Sequence, residues 1–381
     1  MERRTFLRAA VAGGTTIAFG FSVTREAIAY PAQTGPSPYG PLQAADVNGI
    51  QLPANFTSRV IARSTQKVAG TGHTWHGAPD GGACFADGTG WIYVSNAELG
   101  SGAGGVSAVR FDGNANITAA YPVLAGTRQN CSGGATPWNT WLSCEETDLG
   151  YVFETDPWGA NTAVRRDAMG RFKHEATAAD PDRRVVYLTE DEPDGNFYRF
   201  VPTTWGDLSA GTLQVLVDDG GALSWVDVPD PDGSPTRTRR QVAGAKVFNG
   251  GEGAYYRNGT CFFTTKGDNR VWAYDAVNNA LAIAYDDDLT GNPPLTGVDN
   301  ITGAPAGDLY VAEDGGNMEI CIITPDDVVA PFLRINGQSA SELCGVAFNP
   351  AGNRLYFSSQ RGASGSNSGG ITYEVTGPFR G

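Results

Sequence analysis

The sequence predicts an all-β protein folded as a six-bladed β-propeller. Three observations support this: a composition rich in turn residues, a short phrase that recurs six times, and polar side chains at matching ends of the recurring units. The chain has 381 residues, of which 51 are glycine and 22 proline, while only 18% are charged. Such a composition is typical of many short strands joined by tight turns.

The recurring phrase has the order apolar, aromatic, apolar, small, polar. Its aromatic residue lies at positions 93, 141, 187, 262, 310 and 356, which are 48, 46, 75, 48 and 46 residues apart. A period in the forties is the size of one four-stranded propeller blade. A pair of β-sandwiches, the alternative with similar strand lengths, has no reason to repeat at this interval. We therefore expect six blades, with the phrase on the second strand of each.

The domain boundaries follow from this repeat. The sixth unit runs out of chain before its fourth strand, and the strand candidate at 56–62 is expected to complete it and close the ring. The interval of 75 residues contains an insertion at about 202–243, part of which (227–240) is rich in Pro, Asp and Arg and is expected to form a surface loop or lid. The propeller is predicted to span residues 30–381.

Residues 1–29 are predicted to be a twin-arginine signal peptide. Arg3 and Arg4 are followed by a Phe-Leu pair, by an apolar stretch at 9–23 and by a small-x-small cleavage pattern at 27–29. The apolar stretch is too short for a membrane span. The protein is therefore expected in the periplasm or outside the cell, and this route, which carries folded proteins, would allow a cofactor to be inserted before export.

The formal net charge of −14 limits the partners. It argues against nucleic acid and against an anionic membrane surface. Where carboxylates converge, bound cations would offset part of the charge. We expect a monomer.

Propeller geometry brings particular strand ends together. The innermost strand lines the channel and the second strand runs back antiparallel to it, so the start of the first and the end of the second lie on one face. Five of the six blades carry acids or a thiol at these ends. The predicted cluster consists of Asn96, Cys144, Glu145, Glu175, Glu190, Glu252, Asp299, Asn300 and Glu313.

Such a cluster predicts a metal-lined central channel. Carboxylates at this density would repel one another and raise their pKa values. Calcium resolves the repulsion, since it takes six to eight oxygen ligands. A thiolate such as that of Cys144 indicates a softer, transition-metal site, with iron or zinc as candidates. Each acid alone could be a solvated loop end, but that interpretation does not explain the set.

Blades four and six place Lys266 and Arg361 where other blades place acids. Metals beside such cations suit a small anionic substrate such as a phosphate ester. The two cations could equally pair with neighbouring carboxylates. The sequence contains no Gly-x-Ser-x-Gly elbow, phosphate-cradling loop or His-Glu-x-x-His motif. The catalytic group is therefore unassigned, and a metal-activated water or oxo group is the expected attacking species.

Several segments resemble the signature segments of the PhoX alkaline phosphatase family. They are Ser143-Cys-Glu-Glu146, Phe172-Lys-His-Glu175, Leu188-Thr-Glu-Asp-Glu192, Val298-Asp-Asn-Ile301 and Ala312-Glu-Asp-Gly315. The resemblance implies a propeller with a mixed iron and calcium centre, a cysteine thiolate on iron, and phosphomonoester hydrolysis, with some phosphodiester hydrolysis in addition. It implies as ligands Cys144, Glu175, Glu252, Asp299 and Glu313, followed by Glu145, Glu190 and Asn300.

One departure from the family pattern concerns the substrate. The family carries an arginine two residues before the glutamate that matches Glu252, where this chain has Gly250. Lys266, Arg361 or the arginines at 237–240 are candidates to replace it. Two alternatives stay open: a calcium-dependent propeller hydrolase such as a lactonase, because Gly251-Glu252-Gly253 is faintly similar to a metal-ligand glutamate of sugar lactonases, and a non-catalytic, metal-stabilised binding propeller.

Overall fold

A computed structural model describes residues 31–381 as six antiparallel sheets arranged around a central channel. The predicted six-bladed propeller is thereby confirmed. The predicted signal peptide lies outside the described residues. Within residues 31–381, no helix is long and apolar enough to cross a membrane. The helical segments in this range are short 3-10 turns: Asp167–Met169, Thr238–Arg240, Gly362–Ser364 and Asn367–Gly369.

Each blade has four main strands, which run in order from the channel outwards. Blade one contains Pro79–Asp87, Gly90–Ala97, Gly104–Phe111 and Ile117–Thr127, and blade two contains Asn130–Ala135, Trp141–Glu145, Val152–Thr155 and Val164–Arg165. Blade three contains His174–Asp180, Val185–Glu190, Gly195–Thr204 and Asp207–Asp219, and blade four contains Gly251–Arg257, Thr260–Thr265, Arg270–Asp275 and Ala280–Asp286. Blade five contains Val298–Gly303, Leu309–Glu313, Glu319–Ile323 and Val328–Ile335, and blade six contains Leu343–Phe348, Arg354–Ser359, Ile371–Thr376 and Thr57–Arg63.

The ring is closed by a strand from the other end of the chain. Thr57–Arg63 pairs antiparallel with Ile371–Thr376 and forms the outer strand of blade six, which confirms the closure expected for 56–62. Upstream, Gln33–Thr34 and Ile50–Gln51 pair with the outer strand of blade five. Pairing these edges satisfies backbone groups that would otherwise be open to another chain.

The segment between the third and fourth phrases enlarges blade three. The outer strand of this blade, Asp207–Asp219, is followed by a fifth strand, Ala222–Asp227. The short strand Val247–Phe248 pairs with the third strand of the same blade. Ion pairs of Arg171 with Asp232 and of Arg237 with Asp148 hold the intervening loop against blade two.

The aromatic residues of the phrase form the packing between blades. All six are buried, from Tyr93 in blade one to Tyr356 in blade six. These two rings stack with centroids 4.9 Å apart, so an aromatic contact joins the first and last blades. A rigid ring of this kind holds the inner strands at fixed positions around the channel.

Candidate metal centre

The innermost strand of every blade bulges where it begins. Pairing with the second strand skips two residues of the first strand in each blade. A bulge re-aims the side chain that it carries. The first skipped residue is an acid or a thiol in five blades: Asp80, Cys131, Glu175, Glu252 and Asp299.

These side chains converge at one end of the channel with others from the strand ends nearby. Three groups of three place their ligand atoms within 4.8 Å of one another. The groups are Cys131 with Glu146 and Glu175, then Glu175 with Glu252 and Asp299, and finally Asp80 with Glu98 and Glu342. Glu175 belongs to two groups, so its two oxygens could join two adjacent cation sites.

The electrostatics of these groups fit bound cations. Burial, reinforced by the neighbouring carboxylates, raises the pKa of Glu175 well above its usual range, and burial raises the pKa values of Glu146 and Asp299 to about 7. In the described structure the buried Oε2 of Glu175 has no hydrogen-bond partner, while Oε1 accepts from the Cys131 thiol at 3.4 Å. A cation would supply the partner that this oxygen lacks and would favour the charged forms.

The thiol that joins the carboxylates is Cys131 and not the predicted Cys144. Cys144 is fully buried in an apolar cluster with Leu142 and Val152 and belongs to none of the three groups. The physical reason is that Cys131 is the first skipped residue of the bulge on the innermost strand, whereas Cys144 lies on the second strand. Glu145 pairs opposite Asn130 at the start of the first strand, where the corresponding pair in blade three is Glu190 with His174. The phrase of blade two is therefore displaced by one residue relative to that of blade three.

The three predicted glutamates at second-strand ends lie where turns begin, outside the three groups. Glu145, Glu190 and Glu313 each accept a hydrogen bond from a backbone N–H six residues further on, at 3.2, 3.1 and 3.0 Å. They close the turn between the second and third strands. The next residue in each blade lies at the channel mouth: Glu146, Asp191 and Asp314.

The two predicted asparagines hold the bulges. Asn96 donates to the carbonyl oxygens of Cys131 at 3.0 Å and Ser132 at 2.7 Å, across the boundary between blades one and two. Asn300 donates to Asp299 Oδ1 at 2.9 Å and accepts from the backbone of Gly345 in blade six. Through these contacts the two asparagines brace the segments that carry Cys131 and Asp299.

Both predicted cations lie at the mouth, and both are paired. Lys266 contacts Glu252 at 2.7 Å, and Arg361 contacts Glu342 at 3.0 Å. A third cation, Lys173, bridges Glu146 at 2.9 Å and an aspartate of blade three. The arginines considered as replacements at Gly250 are engaged with acids as well: Arg237 with Asp148, Arg239 with Glu190 and Arg240 with Asp194.

The structure thus adds residues that sequence reasoning missed, and a signal for them existed. They are Asp80, Glu98, Cys131, Glu146, Lys173 and Glu342. Cys131 precedes the glycine pair at 133–134 by two residues, and Asp80 precedes Gly81-Gly82 directly. Aligning the blades on these strand starts, rather than on the aromatic phrase, would have placed both beside Glu175.

Behind the groups the channel is narrow and lined mainly by small side chains. A Cβ added to Gly134 would lie 2.1 Å from Thr177 O, so this close approach of blades two and three requires glycine. The remaining cavity has a volume of about 270 Å³. No acid is found among the described residues that line it, so the candidate chemistry is confined to the mouth.

Comparisons with known proteins agree with this fold. The family described as Alkaline phosphatase PhoX matches residues 90–282, just over half of the chain. The structure of Pseudomonas fluorescens PhoX in complex with vanadate, a transition state analogue, is similar with a TM-score of 0.71 and 17% identity, covering 91% of this chain and 98% of that chain. The comparison with curated proteins found no match.

Other propellers are similar in fold alone. A gluconolactonase from Xanthomonas campestris has a TM-score of 0.50 at 12% identity, with coverage of 92% of this chain and 99% of that one. A protein of unknown function from Bacteroides thetaiotaomicron has a TM-score of 0.52 at 9% identity, with coverage of 84% and 76%. Because the family match spans more than half of the sequence and includes Cys131, Glu146, Glu175 and Glu252, the chain belongs to the PhoX alkaline phosphatase family.

Proposed function

We propose that the chain is an exported, metal-dependent phosphoesterase that hydrolyses small phosphate monoesters. The observation that carries the proposal is the convergence of a thiol and buried carboxylates at one end of the channel in a member of this family. The first group contains a sulfur donor and suits iron, whereas the group of Glu175, Glu252 and Asp299 contains only carboxylates and suits calcium.

The residues at the mouth would have two roles, binding cations and binding the phosphate group. Cations held by the three groups would polarise the phosphoryl oxygens and lower the pKa of an attacking water. Glu175 would fix the spacing of two such cations through its shared carboxylate. Lys266 and Arg361 would supply charged donors to the non-reacting phosphate oxygens, in place of the arginine that Gly250 replaces. No side chain is assigned as the nucleophile.

A calcium-dependent hydrolase of another class, such as a lactonase, is the second candidate. It is favoured by the all-carboxylate group of Glu175, Glu252 and Asp299, which needs no thiol to hold calcium. On this alternative Cys131 would be a buried neighbour without a role in binding.

The test is elemental analysis of the exported protein, purified without chelator, together with assays on p-nitrophenyl phosphate and a sugar lactone. We expect iron and calcium together, with hydrolysis of the phosphate ester. Calcium without iron and hydrolysis of the lactone alone would favour the second candidate. Tight calcium with no turnover of either compound would mean a binding propeller.

The Glu175→Gln variant sharpens this test, because Glu175 belongs to two groups. We expect it to lose metal from both and to lose activity. A variant with full metal content and full activity would contradict the assignment of the centre.

A further inference from the structure

Two lysines at the channel mouth are held in the same way, although they belong to different blades. Lys173 Nζ lies 2.9 Å from Glu146 Oε1 and 2.6 Å from Asp191 Oδ2. Lys266 Nζ lies 2.7 Å from Glu252 Oε1 and 3.4 Å from Asp314 Oδ2. Each ammonium therefore bridges two carboxylates.

The two carboxylates of each bridge are not equivalent. Glu146 and Glu252 are members of the ligand groups, and we call them the inner partners. Asp191 and Asp314 belong to none of the three ligand groups and are the outer partners. Each ammonium thus contacts one inner-partner oxygen that would bind a cation and one outer-partner oxygen that would not.

An ammonium and a metal cation compete for an inner partner. Both are attracted to the same carboxylate lone pairs, and two positive charges at a few ångströms repel each other strongly at a partly buried site. A lysine can yield, because its charge is carried on a flexible four-carbon stem. The outer partner would keep the displaced ammonium at the mouth.

We propose that Lys173 and Lys266 are exchangeable counter-ions that couple metal loading to substrate binding. Each pairs with its inner carboxylate when that carboxylate holds no cation. When a cation takes the inner carboxylate, the ammonium remains tethered to its outer aspartate and turns its free N–H donors towards an anion above the mouth. The anion part rests on the proposed function, whereas the competition with metal does not.

Arg361 provides an internal contrast. Both of its partners, Glu98 at 3.8 Å and Glu342 at 3.0 Å, belong to the same ligand group, so it has no outer tether. The lysines reach solvent, with 28% of the side chain of Lys173 and 39% of that of Lys266 exposed. Each ammonium is therefore accessible to an anion from solvent.

The competition is tested by calcium retention. Full-length protein purified in calcium is titrated with EGTA, and the calcium that remains bound is measured for the wild type, Lys173→Gln, Lys266→Gln and Asp314→Asn. We expect each lysine variant to retain calcium at about tenfold higher free chelator, because a competing charge is gone. Asp314→Asn should release calcium earlier, since Lys266 then has Glu252 as its only acid partner.

The opposite signs of these effects separate exchange from a structural role. Loss of a merely structural lysine would weaken calcium retention, and thermal unfolding of the loaded variants identifies any that fold poorly. Unchanged or weaker retention in both well-folded lysine variants would overturn the exchange.

The anion half is tested by calorimetry with inorganic phosphate on metal-loaded protein. We expect Lys266→Gln to bind phosphate several-fold more weakly while it holds calcium more tightly. Unchanged phosphate affinity in both lysine variants would overturn this half. A loaded wild type that binds phosphate but hydrolyses no ester would refute the proposed function and leave the exchange standing, so the two failures are distinguishable.

Discussion

Cys131 and Cys144 belong to the same blade and lie on neighbouring strands, yet their surroundings are opposite. Cys131 lies on the channel side among Asp80, Glu146 and Glu175, and Cys144 lies in the packing between blades. Both are free thiols. The difference shows that the position of a residue relative to the bulge, more than its type, decides whether its side chain joins the carboxylates at the channel mouth. Glu146 and Glu145 differ in a similar way: Glu146 belongs to a group at the channel mouth, whereas Glu145 accepts backbone hydrogen bonds in a turn.

The largest effect is expected from Cys131→Ala, with Cys144→Ala as the matched control. Loss of the Cys131 thiol should remove iron and reduce phosphatase activity by at least about a hundredfold, because second-sphere changes alone cost ten- to a hundredfold in metal affinity or activity. Cys144→Ala should keep its metal and lose about 1 kcal/mol of stability through a small cavity. Metal analysis measures the loss of iron in each variant, and thermal unfolding measures the loss of stability.

A reversed outcome would favour the ligand that the sequence predicts. If Cys144→Ala lost iron while Cys131→Ala kept it, the thiol ligand would be Cys144, and the argument from the bulge in blade two would be wrong.

The adjacent pair Glu146 and Glu145 gives the next effect. Glu146→Gln should weaken metal binding about ten- to a hundredfold, since Glu146 is a member of a ligand group. Glu145→Gln should instead destabilise the fold by about 1–3 kcal/mol. The reason is that an amide N–H₂ would replace one of two oxygens that accept from the backbone of Arg128 and Tyr151.

Metal retention should therefore fall mainly in the first variant, and the free energy of unfolding mainly in the second. Equal loss of metal in the two variants, with no difference in stability, would show that the alternation between channel side and turn side does not hold.

Much of the fold was accessible from the sequence, because the aromatic phrase reports packing between blades, and that packing repeats. The site was accessible only in part. Glu175, Glu252 and Asp299 were found because each lies directly at a strand start. The sequence points to Cys144 and Glu145 because it does not reveal which face of a strand each side chain occupies. That face depends on the pairing register, and a shift of one residue moves every side chain to the opposite face. Asp80 and Cys131 occupy the same bulge position, but the aromatic phrase does not mark it, and only an alignment on the strand starts places them beside Glu175.

A loss of stability without loss of metal is expected where blade three differs from its neighbours. The turn-closing Glu145 and Glu313 each accept a second backbone N–H from the preceding loop, from Arg128 and Thr296. Glu190 instead pairs at 3.0 Å with Arg239 from the enlarged segment. Arg239→Ala should cost about 3 kcal/mol, because the buried Glu190 loses its counter-charge.

Metal content is the control for that variant, since Glu190 lies outside the three ligand groups. Loss of metal without loss of stability would mean that Glu190 is a ligand, as the sequence predicts, and that Arg239 affects metal binding through Glu190 and does not stabilise the fold.

The smallest effect is expected from Asn96→Ala, which tests whether the bulge itself is held in place. Asn96 donates to the carbonyls of Cys131 and Ser132 and accepts from Trp141 Nε1 at 2.9 Å. Without these bonds the Cys131 thiol should be less firmly oriented, and activity should fall about tenfold, a modest loss for a group that acts through another. Metal content should stay near that of the wild type, while the thiolate-to-iron absorption band shifts. An unshifted band with reduced activity would mean that Asn96 acts through the packing of Trp141, and the bulge would then be positioned by strand pairing alone.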